Sequence, residues 1–213
     1  MRAQERYDRE PMRAVLAAFA WGGTIGVFVA VLLHILFAFG YEQAGGPLNA
    51  SDGFLAAVII APIVEELAKG MGLTGARKHI RELEDGIVYG TGVGLGFAAT
   101  ENLVYGVTAM LEGGFGIAFA TVTVRIFSSM LLHASASGLL GFGYGRVVLG
   151  GGVGWQLVPY YLTAVVLHAL FNLLVSTEML LGLLAAIIMV ATVIGSLQRR
   201  IRQLDALPHT PAR

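Results

Sequence analysis

Residues 54–73 read FLAAVIIAPIVEELAKGMGL, an apolar run that is long enough to cross a membrane but contains Glu65, Glu66 and Lys69. An Asp, Lys or Arg at the centre of a membrane helix costs about 2.5–3.5 kcal/mol on insertion scales, so charged residues at that depth usually have a function. The stretch therefore predicts a membrane helix with a polar site inside it.

The composition of the whole chain is typical of a membrane protein. Of its 213 residues, 56% are hydrophobic and only 13% are charged, and the mean hydropathy is +0.73. An ordinary soluble domain is far more polar. The charges are segregated along the chain and suggest no cationic surface, so no nucleic-acid partner is expected. Because the chain has no cysteine, a metal would need His and carboxylate ligands.

Six segments have about the length and apolar character that a membrane span requires. They are residues 14–39, 53–73, 86–111, 117–146, 156–176 and 179–197. We predict an all-α, polytopic membrane protein that forms a single domain over 1–213, with a bundle at 14–197 and tails at 1–13 and 198–213. The first run has no A-x-A type cleavage site, so we expect it to be a retained helix.

The basic residues outside the spans predict the orientation. They precede the first span, lie between the second and third, end the fourth and follow the sixth. The other three loops lack Lys and Arg, and their charged residues are Glu42, Asp52, Glu112 and Glu178. The positive-inside rule then places both termini in the cytoplasm of a multi-pass protein in the cell membrane.

Two features of the predicted spans concern packing rather than chemistry. Glycines recur at four-residue spacing, as in Gly90/Gly94 and Gly141/Gly145, which lets membrane helices approach closely. The stretch YGTGVGLG at 89–96 therefore predicts helix packing and not phosphate binding. The polar segment 74–85 predicts a cytoplasmic connector in which Asp85 caps the start of the third span.

Ionisable residues on four different spans lie at comparable depth when 1.5 Å of rise per residue is counted from the span ends. These residues are Glu65, Glu101, His133 and His168. Lys69 follows Glu65 by four positions and Asn172 follows His168 by four, so each pair shares a helix face. We expect the four spans to converge on one cavity.

Arg125 also lies within a predicted span, eight residues before His133 and about half way across the outer leaflet. Its side chain either pairs with a buried carboxylate or extends outward to the membrane surface. The sequence leaves both possibilities open.

Glutamates and histidines grouped at this depth suggest the activation of water for peptide hydrolysis. The predicted catalytic residues are Glu65, Glu66, Glu101, His133 and His168, and the predicted supporting residues are Lys69, Asn102, Arg125 and Asn172. Zinc is one candidate cofactor, with Glu101, His133 and His168 as ligands and water in the fourth position. A site without metal is the other possibility, and either Glu65 or Glu66 would then be the general base.

The same residues carry a resemblance to the PrsW family of intramembrane proteases. The stretch EELAK at 65–69 resembles the family's EExxK motif, and residues 84–106, EDGIVYGTGVGLGFAATENLVYG, resemble its second block. Residues 125–145 and 166–174 resemble two histidine blocks that supply His133, His168 and Asn172. The similarity extends over about residues 55–175.

This resemblance implies that a membrane-anchored, anti-sigma-factor-like protein with a single span is the substrate, and that Glu65, the first glutamate of the motif, is the base. The PrsW family is similar in turn to the CAAX prenyl protease and bacteriocin-processing family, whose motifs are EExxxR, FxxxH and HxxxN or HxxxD. Here Lys69 comes one position early, and FAATE at 97–101 ends in glutamate where that motif has histidine.

Other classes of function use some of the same residues. A proton-coupled transporter or channel would use the buried Glu, Lys and His as a relay. A serine protease would use Ser137 of ASASG with His168 as base, but it leaves the three glutamates without a role. A membrane scaffold would need these residues only for packing.

Overall fold

The computed structural model describes residues 10–43, 50–176 and 180–205, which are helical with short connections and no strand. The helices are α1 (Met12–Trp21), α2 (Val27–Gln43), α3 (Ala50–Leu55), α4 (Ala61–Ala76), α5 (Leu83–Phe127), α6 (Ser129–Leu149), α7 (Val158–Ser176) and α8 (Leu180–Asp205). The all-α prediction is confirmed. The predicted loop residue Glu178, residues 1–9 of the first predicted tail and residues 206–213 of the second lie outside the described residues.

Short turns of other helix types connect several of these helices. The π-helical turns Gly22–Gly26 and Ala56–Ile60 join α1 to α2 and α3 to α4 without interrupting the helical course. The 3-10 turn Arg77–His79 follows α4, and Gly154–Leu157 precedes α7. The segment predicted as a polar connector is therefore shared between the end of α4, this 3-10 turn and the start of α5.

Three helical runs in the described part of the chain are long and apolar enough to cross a membrane. They are Met12–Gln43, Leu83–Leu149 and Gly154–Ser176. The second has 67 residues, which is enough for two crossings and covers the predicted spans 86–111 and 117–146. A shorter apolar helix follows at Leu183–Arg199. The chain is therefore a helical membrane protein, while six crossings and the orientation stay predictions.

Helix α5 consists of two arms. Gly114 has φ 76° and ψ −174°, a conformation that glycine adopts readily, and it separates a long arm at 83–113 from a short arm at 115–127. The short arm ends at Ser128, whose φ of −127° and ψ of −82° are not helical. The predicted span 117–146 is thus interrupted between Arg125 and His133. Irregular backbone at membrane depth needs cover from protein, and Ser128 is only 3% exposed.

The long arm of α5 packs against α6 through glycines. A Cβ added to Gly90 would overlap the carbonyl oxygen of Ser137, and a Cβ added to Gly94 would overlap that of His133. The prediction that these glycines serve helix packing is therefore confirmed. The close approach at Gly94 brings the backbone of His133 against α5 at a position two helical turns before Glu101.

The start of α5 is capped as the sequence predicts. The Oδ2 atom of Asp85 accepts hydrogen bonds from the backbone N–H groups of Arg81 and Glu82, at 2.6 and 2.9 Å. Glu82 is the N-cap residue and completes a reciprocal capping box with Asp85. This cap sets where the long arm begins and so the position of Glu101 five turns further along the helix.

Candidate active site

Helix α4 places two charged side chains in the interior of the bundle. Glu66 is 0% exposed and Lys69 is 1% exposed. The Nζ atom of Lys69 donates to Oε1 of Glu66 at 2.7 Å, and it lies 2.7 Å from Nδ1 of His133 on α6. An ammonium group has donors only, so Nδ1 of His133 accepts this second hydrogen bond.

The contact with Lys69 determines the protonation of the His133 ring. Since Nδ1 accepts, the ring hydrogen of the neutral imidazole lies on Nε2, which is 2.9 Å from Oε2 of Glu101. His133 therefore accepts from Lys69, and its Nε2 is in close contact with the carboxylate of Glu101, so both of its ring nitrogens are engaged. The ring of Phe97 covers this arrangement, 4.5 Å from Nζ of Lys69.

Glu101 is held from its other side by Arg125. Nη2 of Arg125 lies 2.9 Å from Oε2 of Glu101, and Nε donates to Oδ1 of Asn102 at 2.8 Å. The guanidinium also lies 3.8 Å from the ring centroid of Tyr105 and donates to Oγ of Ser129 at 3.2 Å. Of the two possibilities that the sequence left open, Arg125 pairs with a carboxylate, that of Glu101, whose side chain is partly buried.

His168 on α7 connects the two glutamates of α4. Its Nδ1 lies 3.0 Å from Oε1 of Glu66, and its Nε2 lies 3.9 Å from Oε2 of Glu65. A carboxylate accepts, so Nδ1 carries the hydrogen and the lone pair of Nε2 faces Glu65.

Glu65 is the least constrained carboxylate of the group. Its Oε2 lies 3.8 Å from Nζ of Lys69, which is too far for a hydrogen bond, and this atom has no hydrogen-bond partner among the described residues. The side chain is 12% exposed, whereas that of Glu66 is fully buried. Glu65 therefore has an oxygen that can accept a further hydrogen bond.

The structure brings the five predicted catalytic residues into one continuous network from four helices, α4 to α7. Two of the predicted supporting residues, Lys69 and Arg125, belong to the same network, and Asn102 touches it through Arg125. Asn172 does not join it, because its Nδ2 donates to the backbone carbonyl of Ala57 at 2.8 Å. It supports the π-helical turn that precedes α4.

The sequence prediction missed three residues around this network: Phe97, Tyr105 and Ser129. Tyr105 follows Glu101 by four positions, and Ser129 follows Arg125 by four. Helical spacing would have found Tyr105, since residues four apart on one helix share a face, whereas the non-helical backbone at Ser128 separates Arg125 from Ser129. Phe97 begins the FAATE stretch, in which only the glutamate was predicted to belong to the site.

Three of these residues lie close enough together that they could hold a metal ion. Glu65, His133 and His168 each offer one ligand atom, and these atoms lie within 4.8 Å of one another. One carboxylate and two imidazoles are a ligand set known from catalytic zinc sites. The predicted ligand Glu101 lies outside this group, bound to Arg125 and to Nε2 of His133, so its role as a ligand stays a prediction.

The fold and the site define a class of helical membrane proteins with ionisable side chains gathered between the helices, a feature that usually marks function. The chain belongs to the PrsW family of intramembrane metalloproteases, whose family model matches residues 10–196. This membership supports the protease prediction over the transporter alternative. For the serine protease alternative, Ser137 is 2% exposed, and its Oγ has no hydrogen-bond partner among the described residues.

Several curated proteins named Protease PrsW are similar to this chain. The protein of Clostridioides difficile (strain 630) is 32% identical over 108 residues, which cover 49% of this chain and 43% of the relative. That of Bacillus subtilis (strain 168) is 31% identical over 146 residues, 67% of this chain and 60% of the relative. That of Geobacillus kaustophilus (strain HTA426) is 28% identical over 143 residues, covering 67% and 58%.

The matched region thus spans about half the length of these relatives. No solved structure matches the chain.

Proposed function

We propose that this protein is an intramembrane peptidase that hydrolyses a peptide bond of a membrane-anchored protein. The observation that carries this proposal is Glu65: its Oε2 is buried without a hydrogen bond and faces Nε2 of His168 at 3.9 Å. Membership of the PrsW family supports the reaction class. By resemblance, the substrate is a single-span protein of the anti-sigma-factor type.

In the proposed reaction, a water molecule hydrogen-bonded to Oε2 of Glu65 and to Nε2 of His168 attacks the carbonyl carbon of the scissile bond. Glu65 accepts the proton of this water as the oxygen–carbon bond forms. When the carbon–nitrogen bond breaks, Glu65 returns the proton to the leaving amine. The balance of the reaction is one water consumed and a new carboxyl and amino terminus formed.

The surrounding residues hold this pair in place. Glu66 accepts from Nδ1 of His168 at 3.0 Å, which keeps the lone pair of Nε2 directed at Glu65. Lys69 lies 3.8 Å from Glu65 and offsets the negative charge of the two carboxylates of α4. Glu66 and Lys69 therefore orient the reacting groups rather than react themselves.

The residues also fit the metal that the family's description implies. Glu65, His133 and His168 would hold a zinc ion, and a bound zinc supplies a more acidic water and a Lewis acid for the carbonyl oxygen. His133 would have to give up its contact with Lys69 or with Glu101 to take part, because each of its nitrogens already has a partner. The carboxylate of Glu65 is needed with or without the ion.

We further propose six membrane crossings with both termini in the cytoplasm, in the cell membrane. The lack of Lys and Arg from three of the loops supports this topology. The 67-residue run Leu83–Leu149, which turns at Gly114, supplies two of the six crossings. The relation to the CAAX prenyl proteases that the motifs suggest stays a prediction.

The test is direct cleavage. The purified protein is incubated in detergent with single-span peptides, and the products are identified by mass spectrometry. We expect two fragments whose masses sum to the mass of the peptide plus one water. A transporter or a scaffold would leave every peptide intact. If the folded wild-type protein cleaves none of them, or if Glu65→Gln cleaves as fast as the wild type, the proposal is wrong.

A further inference from the structure

An apolar cavity of about 690 Å³ lies between the two arms of α5. We call it the wedge; its lining includes Val107 and Met110 of the long arm, Phe119 and Val122 of the short arm, and Met130 of α6. Among the described residues that line it, Asn102 has the one polar side chain. A volume of this size is within the range of small ligand pockets.

The backbone departs from helical geometry at both ends of the short arm that forms one wall of the wedge. Gly114, at one end, has a positive φ that turns the chain back, and Ser128, at the other, breaks the helix before α6 begins. If residues 115–149 formed one continuous helix, its axis would continue straight past Ser128. The short arm instead has its own direction, which opens space between it and the long arm.

The inner end of the wedge meets the candidate active site. Asn102 accepts the hydrogen bond of Nε of Arg125, which joins the two arms, and the same guanidinium pairs with Glu101. Glu101 contacts His133 directly, at 2.9 Å. A molecule in the wedge would therefore contact Asn102, which is itself bonded to Arg125 of the polar network.

We infer that the wedge binds the membrane-embedded segment of the peptidase's substrate; this inference rests on the proposed function. A peptide must unwind near the bond that is cut, and its freed backbone groups need hydrogen-bond partners inside the bilayer. Apolar walls that end in one amide side chain match such a segment. Because Oδ1 of Asn102 already accepts from Arg125, its Nδ2 is the group that would donate to a freed carbonyl of the peptide, and a lipid acyl chain has no acceptor at this depth.

The first experiment maps the occupant by photo-crosslinking. Phe119, which lines the wedge, is replaced by a benzoyl-phenylalanine in full-length Glu65→Gln protein reconstituted in lipid nanodiscs. The probe is a Leu- and Ala-rich single-span peptide of about 20 apolar residues with charged ends. The matched control carries the same photoreactive residue at Phe127, which is on the same arm, is 65% exposed and does not line the cavity.

We expect a peptide adduct from position 119 and at least severalfold less from position 127. Adducts of phospholipid alone at position 119, or equal peptide yields from both positions, would show that the wedge is an ordinary lipid-facing groove. This readout does not need catalysis, so it stays informative even if the wild-type protein proves inactive. Lack of cleavage with a clear adduct would count against the proposed function only.

The second experiment narrows the wedge. Ala118 lines it, whereas Ala120 on the same arm is exposed and does not, so Ala118→Trp and Ala120→Trp form a matched pair. We expect Ala118→Trp to raise KM for the single-span peptide by roughly tenfold, with a smaller effect on kcat, because it displaces an apolar contact. Equal KM values for the two variants, with melting temperatures that match, would overturn the inference.

Discussion

Replacing Glu65 by glutamine separates its chemical role from its structural one. No hydrogen bond reaches its Oε2 among the described residues, and its nearest charged partner, Lys69, is 3.8 Å away. The isosteric change should therefore alter the free energy of unfolding by less than about 1 kcal/mol, since no formed hydrogen bond is lost. Loss of a general base slows turnover by roughly 100-fold or more, which is at least about 2.7 kcal/mol of barrier.

Glu66 provides the contrast, because it is tied to the rest of the site. Its Oε1 accepts from Lys69 at 2.7 Å and from His168 at 3.0 Å, and the residue is fully buried. Glu66→Gln leaves the charge of Lys69 without its closest carboxylate. Breaking a buried pair in this way costs about 3–5 kcal/mol, so we expect a clear fall in melting temperature together with lost activity.

The assay measures cleavage of a single-span peptide by detergent-purified Glu65→Gln, Glu66→Gln and wild-type protein, with melting temperatures recorded on the same preparations. Glu112→Gln, an exposed glutamate at the end of the long arm of α5, is the control and should match the wild type in both measurements. The reasoning fails if Glu65→Gln keeps near-wild-type cleavage. It also fails if Glu65→Gln melts as far below the wild type as Glu66→Gln does.

Three further predictions test packing, topology and metal. Gly94→Ala places a methyl group against the carbonyl of His133 and should destabilise the fold by about 1–3 kcal/mol. Gly116→Ala is the control, because there is open space around its Cβ position and its stability should not change. Equal melting temperatures of the two variants would contradict the packing of Gly94 against α6. A single cysteine at Glu112 should react with a membrane-impermeant maleimide from outside intact cells, and labelling only after lysis would reverse the predicted orientation. Elemental analysis distinguishes the two forms of the site: about one zinc per chain, with less in His168→Ala, would show the metal site, and full cleavage by zinc-free protein would assign water activation to Glu65 without a metal.

Several features of this protein follow from its sequence because they depend on local properties of the chain. Apolar length determines where a helix can cross the bilayer, and helical spacing places Lys69 on the same face as Glu65 and Glu66. The glycines at four-residue spacing predict close helix contacts, and Asp85 predicts the cap that begins α5. Apolar length is a property of about 20 consecutive residues, and the other features depend on residues within about one or two helical turns, so all of them can be read from one segment of the chain.

The pairing of groups across helices was decided only by the tertiary structure. Spacing along α4 does not distinguish which glutamate Lys69 binds more closely. The side chain of Lys69 also contacts His133 of α6 and that of Glu66 contacts His168 of α7, and Lys69 lies 2.7 Å from Glu66 but 3.8 Å from Glu65. Arg125 reaches Glu101 across 24 positions because the chain reverses at Gly114, which looks like any other glycine of a glycine-rich stretch. The orientation of a helix about its own axis depends on what it packs against, and no property of one segment specifies it.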